Sequence, residues 1–293
     1  MRVTHRQIYE TVSANLARQR EKFNDASERV VSGKRINRPS DDPAGAADVL
    51  SYRSRLASLD RYSRNLEQMR GAVKMIDLSL ESASSLLTEA GEIALGAANG
   101  WDGPPDLDGL ADQVANLKNQ IVGLANARMG DQYLFGGYDT ATPPFDSNGV
   151  YQGDSGVAQV AVDEQTKVET GLPGDTVFGA VGGIDIFQAL DDLETALRSG
   201  DFAGVQAGVD ALADGEAQVD EVRAMNGFRA QRLEDASLRL SKLEVDTKDR
   251  LSEVEEADLT EAIMALSRQE LALQVAMESS AKILQTSLLN FLD

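Results

Sequence analysis

Apolar residues recur at steps of three and four along most of this chain. After Pro43 the series runs Val49, Tyr52, Leu56, Leu59, Leu66, Met69, Val73, Ile76, Leu80, Ala83, Leu87, Ala90, Ala94 and Ala97, interrupted only at Ser63. This spacing places them on one face of a single long helix. Ser40, Asp41 and Asp42 offer N-caps, and Pro43 suits the first helical position. Asn99-Gly100, followed by Gly103, Pro104 and Pro105, ends the pattern. At about 1.5 Å per residue the helix would be roughly 85 Å long. A compact chain of this length has a radius of gyration of only about 19 Å. An elongated rod is expected.

A second stripe, Leu110, Val114, Leu117, Ile121 and Leu124, ends near Gly130 and should pack back on the first. From 131 to about 183 the chain turns rich in Gly, Pro, Thr and Val. Short alternating pieces at 156–162 and 167–170 read as strands between turns. Helical spacing returns at about Ile186, and a long acidic helix is expected from Phe202 to Glu253. A final amphipathic segment starts behind a cap at Asp258 and carries Leu259, Ile263, Leu266, Leu273, Met277, Leu284, Leu288 and Phe291. The segment before Pro43 is similar, with Ile8, Val12, Leu16, Phe23 and Val30, and breaks at Ser32-Gly33. The expected fold is mainly α: an elongated helical rod with coiled-coil termini and a small β-rich insertion. The terminal stripes are too exposed in a lone pair, so the ends are expected to gain order by packing on other subunits. A stable pair within one chain is the alternative.

Composition narrows the chemistry. The 293 residues include one His and no Cys, which excludes disulfides, thiolate metal sites and Cys nucleophiles. A net charge of −20 argues against nucleic acid as a partner. Residues 1–70 hold 14 Lys/Arg against 9 Asp/Glu, so the remainder carries −25, a partition that suits head-to-tail association and plain solubility alike. No apolar run is long enough to span a membrane, and the N-terminus lacks the apolar core of a secretory signal.

Candidate sites resolve into structural roles. Asp41-Asp42 reads as a helix start rather than a carboxylate pair. Asp102, Asp106 and Asp108 lack the Gly and Glu positions of a calcium loop. The Gly-rich stretch 171–183 has no phosphate-binding Gly-Lys-Ser/Thr, and His5 sits alone in a polar segment. No constellation supports catalysis, a cofactor or a metal.

Specific words in the sequence match a family. Residues 32–47 (SGKRINRPSDDPAGAA), with Gly33, Arg35, Asn37, Pro39, Asp41, Asp42 and Pro43, resemble the N-terminal signature of bacterial flagellins and their hook-filament junction relatives. Residues 257–263 (ADLTEAI), continuing to Leu288-Leu289, resemble the matching terminal helix. DQYLFGGYDT at 131–140, PPF at 143–145 and YQGD at 151–154 are similar to the junction branch more than to filament flagellins.

The resemblance implies an axial coiled-coil region of 1–42 with 257–293. It also implies a long-helix layer of 43–130 with 185–256 and an outer domain of 131–184. It implies a non-enzymatic subunit of the extracellular flagellum, exported unfolded through the flagellar type III apparatus. The implied partners are other copies of itself, a neighbouring hook-associated protein, flagellin, and a cytoplasmic export chaperone on the C-terminal segment. A short flagellin that forms the filament is the other reading. The assembly and chaperone-facing stripe would be Ile8, Val12, Leu16, Leu259, Ile263, Leu266, Leu273, Met277, Leu284, Leu288 and Phe291.

Overall fold

The structure, a computed structural model, describes residues 2–99, 106–163, 166–169 and 171–292, with the side chains of 2–5, 8 and 284–292 left aside. The expectations at Gly100, Asp102, Gly103, Pro104, Pro105 and Thr170, and for the side chains of His5, Ile8, Leu284, Leu288 and Phe291, lie outside the described residues. The chain is mainly helical: α1 (Arg2–Ser32), α2 (Pro43–Ala98), α3 (Leu107–Ala125), α4 (Gly174–Val177), α5 (Ile186–Ser199), α6 (Phe202–Glu255) and α7 (Leu259–Leu292). Two antiparallel strand pairs complete it: β1 (Arg128–Met129) with β2 (Gln132–Tyr133), and β3 (Gln159–Ala161) with β4 (Lys167–Glu169). Among the described residues no helix is long and apolar enough to cross a membrane.

The chain divides into two compact units, residues 1–58 with 243–293 and residues 59–242. In the second unit the stripe of α2 is buried as its spacing requires: Leu66, Ile76, Leu80, Ala83, Leu87, Ala90, Ala94 and Ala97 are at most 1% exposed. α3 and α5 pack on each other. Asp106 accepts from Gly109 N and Asp185 from Gln188 N, so each caps a helix start. Gly200, in the left-handed region at φ 66°, closes α5.

The apolar residues of the insert gather around Phe135, Phe145, Phe178 and Phe187, whose ring centroids lie 5.2–5.9 Å apart in edge-on and tilted pairs. Gln218 of α6 is buried among the turns around α4. Its Nε2 donates to Val177 O at 2.9 Å, and its Oε1 accepts from Ile184 N at 2.8 Å. The FGGYDT and YQGD words lock to each other. Asp154 accepts from Tyr138 N, Asp139 N and Gly156 N at 2.7–3.0 Å. Gly137 is needed there twice over: its φ is +77°, and a Cβ would fall 2.0 Å from Asp154 O.

Some local structure departs from the sequence pattern. β1 occupies the last residues of the stretch read as the second helix, and Gly130 at φ 62° turns the chain back into β2. The strand expected over 156–162 shortens to three residues, and the Gly-rich 171–183 contains the one-turn α4.

Candidate assembly interface

The first unit is organised around a joint where two helix breaks meet. α1 ends at Ser32 because Gly33 takes φ +69°, with its N–H still bonded to Arg29 O at 3.0 Å. The break between α6 and α7 lies beside it. Ala257 N donates to Gly33 O at 2.9 Å and Arg35 N to Glu255 O at 2.7 Å, so a short antiparallel bridge joins Lys34 to Glu256.

Most of the signature residues build this joint. Arg35 spans it, donating to Val254 O at 2.8 Å and to Asp42 Oδ2 at 3.1 Å. Asp41 Oδ2 accepts from Asn37 N and Arg38 N at 3.0 and 2.8 Å, folding the loop back on itself. Asn37 Nδ2 donates to Lys34 O. Asp42 caps α2 through Gly45 N at 3.0 Å, and Pro43 is the first helical residue. The acid pair therefore splits its labour: only Asp42 caps. Pro39 is exposed at the loop tip. Under the loop, Ile36, Ala46 and Val49 are buried, with Leu251 and Val254 packed on them.

Electrostatics reinforce the joint. The Glu255 side chain is 7% exposed and lies between Lys34 Nζ and Arg53 Nη2. Burial pushes its carboxyl up, but the Lys34 hydrogen bond and the charges of Arg53 and Lys34 outweigh this and hold it below its ordinary value. Asp41 is lowered by the N–H groups of Arg38 and Asn37, and Asp42 by Gly45 N–H and then Arg35.

From this root α1 and α7 run antiparallel and pack on each other within one chain. The covered side of α1 is marked by half-buried Val12, Leu16 and Phe23 and buried Ala26. On α7 it is marked by buried Ala262 and half-buried Leu266, Gln269, Leu273 and Ala276. The pair is thus intramolecular, yet incomplete. Leu259, Ile263 and Met277 are 50–54% exposed, so the stripe divides between a covered edge (Leu266, Leu273) and an open one.

A second group escaped the sequence reading. Met264, Leu271 and Val275 are 53%, 62% and 53% exposed on another side of α7. Their spacing of seven and four was visible, but it competes with the longer first stripe. A helix that is apolar on so much of its circumference requires more than one neighbour.

The chain is similar to known flagellar proteins. Residues 3–140 match the bacterial flagellin N-terminal helical region and residues 209–292 the bacterial flagellin C-terminal helical region. The chain is 24% identical to flagellar hook-associated protein 3 of Escherichia coli K12, over 95% of this chain and 96% of that protein. It is 25% identical to the flagellin of Bacillus subtilis over 87% of each. A putative flagellar hook-associated protein from Vibrio parahaemolyticus shares the fold, with TM-score 0.68 and 22% identity over 74% of this chain and all of that one. With matches at both ends, brought together in space at the root of α1 and α7, the chain belongs to the bacterial flagellin family.

Proposed function

We propose that this chain is a structural subunit of the bacterial flagellum, the adaptor at the hook-filament junction. The carrying observation is the unfinished α1/α7 pair: Leu259, Ile263 and Met277 stand half-exposed beside a seam that already holds Leu266 and Leu273. Neighbouring molecules would cover them. The near full-length relation to hook-associated protein 3 of Escherichia coli and the interlocked words at 131–154 support the junction role. In this reading α7 and α1 meet other copies of the chain, a neighbouring hook-associated protein and flagellin. Before export through the flagellar type III apparatus, a cytoplasmic chaperone shields the C-terminal segment. The role is structural rather than enzymatic.

A short flagellin forming the filament itself is the second reading, favoured by the relation to the Bacillus subtilis flagellin. Deleting the gene separates the two. Hooks without filaments, with flagellin shed into the medium, are expected for a junction adaptor; loss of one filament component alone would favour flagellin. Leu273→Glu is expected to leave the unit formed by residues 59–242 folded while abolishing assembly. Intact filaments and motility in that variant would overturn the axial-packing account.

A further inference from the structure

We infer that Met264, Leu271 and Val275 form a second docking face of α7, and that it seats in a groove at the root of α1 and α7 of the next copy of this chain. The inference rests on the assembly role proposed above and specifies which surfaces meet.

The face is narrow and continuous. At about 100° per residue, positions 264, 271 and 275 fall within roughly 40° of one another over three turns. All three side chains are more than half exposed. The groove lies elsewhere on the same helix pair. It is an open cleft of about 370 Å³ whose lining includes Ala26, Ala262 and Ala265. Small lining residues let a large side chain, or a whole helix ridge, approach closely.

Charge selects the occupant. One wall of the groove carries Lys22 and Arg29 of α1 with Asp25 between them, a net positive side to which Arg35 adds; the other carries Asp258 and Glu261 at the start of α7. Among the described residues no ion pair spans the groove between these walls. The apolar face of α7 has Arg268 along one edge and Glu278 along the other, both exposed. Seated in the groove parallel to the α7 of the receiving copy, it would set Arg268 towards the acidic wall and Glu278 towards the basic one. A second copy of this chain thus supplies knob, cation and anion together.

The geometry also fixes the kind of assembly. Ala262 and Ala265 lie about 100–160° around α7 from the face, and nearer its N-terminus by roughly 10 Å. A surface that meets a different surface of its neighbour, displaced along the axis, does not close into a dimer. It propagates.

Because the chain has no cysteine, the contact can be tested by pairwise crosslinking. Cells carrying Ala265→Cys and Leu271→Cys as two separate copies would be grown, their flagella sheared off, mildly oxidised and analysed for disulfide-linked dimers. A dimer joining the two variants, absent when either is present alone, is expected. A second pair, Gln269→Cys with Val275→Cys, guards against local misfolding and should behave alike. If the variants enter the flagellum but no mixed dimer forms, or only Leu271→Cys dimers form, the groove assignment is overturned and the assembly role stands. If the unmodified chain is absent from the flagellum, both are overturned.

Discussion

Arg53 Nη2 donates at 2.6 Å to Oε1 of Glu255, joining the start of α2 to the end of α6 across 202 residues of sequence. The carboxylate is buried and shared with Lys34, whereas both cations remain partly in water. Removing the acid therefore strands no buried charge, which keeps the cost below that of a fully buried pair.

Glu255→Gln is expected to destabilise the joint by about 1–2 kcal/mol, the worth of charge-assisted hydrogen bonds lost. The check is amide exchange. Arg35 and Ala257, whose N–H groups close the bridge between the two breaks, should exchange faster in the variant, while Leu193 and Leu197 in the buried part of α5 should not change.

The same carboxylate gives the joint a pH dependence. Its folded value lies below the ordinary 4.5, so its stabilising effect is complete above that value. It is lost as pH falls through the lower folded value. Asp41 and Asp42 are shifted in the same direction and add to the trend. The thermal midpoint should thus fall more steeply between pH 5 and pH 3, in the range about and below normal carboxylate values, for the parent chain than for Glu255→Gln. Parallel curves would show that Glu255 contributes nothing to acid sensitivity.

How much of this was legible beforehand follows from the kind of signal each feature leaves. The limits of α2 could be read because apolar period, Asp42, Pro43 and the break after Ala97 all agree. The stripe of α7 was legible as a period, but its division into covered and open edges was not. That depends on where α1 lies, and a single helix pattern is silent about its neighbour. The joint was visible only as a family word, since Arg35 and Glu255 meet through a contact 220 residues long in sequence. Short strands such as Arg128–Met129 left almost no pattern, because two residues cannot show an alternation.

Asn226 offers a test inside the second unit. It is 2% exposed in the stripe of α6; its Nδ2 donates to Val73 O at 2.9 Å, and its Oδ1 is buried without a partner. A buried unsatisfied carbonyl is costly, and a lone Asn in an apolar seam is a known device for fixing helix register. Asn226→Leu is expected to raise stability by about 1 kcal/mol, or about 2–4 °C in thermal midpoint for a unit of this size. A fall in the midpoint would mean that the bond to Val73 outweighs the orphaned oxygen.

The interlocked words of the insert make the last prediction. Asp154 Oδ1 accepts from Tyr138 N and Gly156 N, and Oδ2 from Asp139 N. These three N–H groups hold its carboxyl below the usual carboxylate range. Asn in its place can keep Oδ1 and both of its bonds, but turns an NH2 donor towards Asp139 N–H. Ala keeps none. Amide exchange at Tyr138 and Gly156 should therefore be near parental in Asp154→Asn and about tenfold faster in Asp154→Ala, as expected when local opening is eased. Exchange at Asp139 should quicken in both. The buried Phe135 and Phe178 pair packs without this carboxylate, so the aromatic core is expected to persist in either variant, and near-ultraviolet circular dichroism would report it. Loss of that signal in Asp154→Asn would mean the loop and the core fold as one body, and that the FGGYDT and YQGD words are held by more than the three bonds to Asp154.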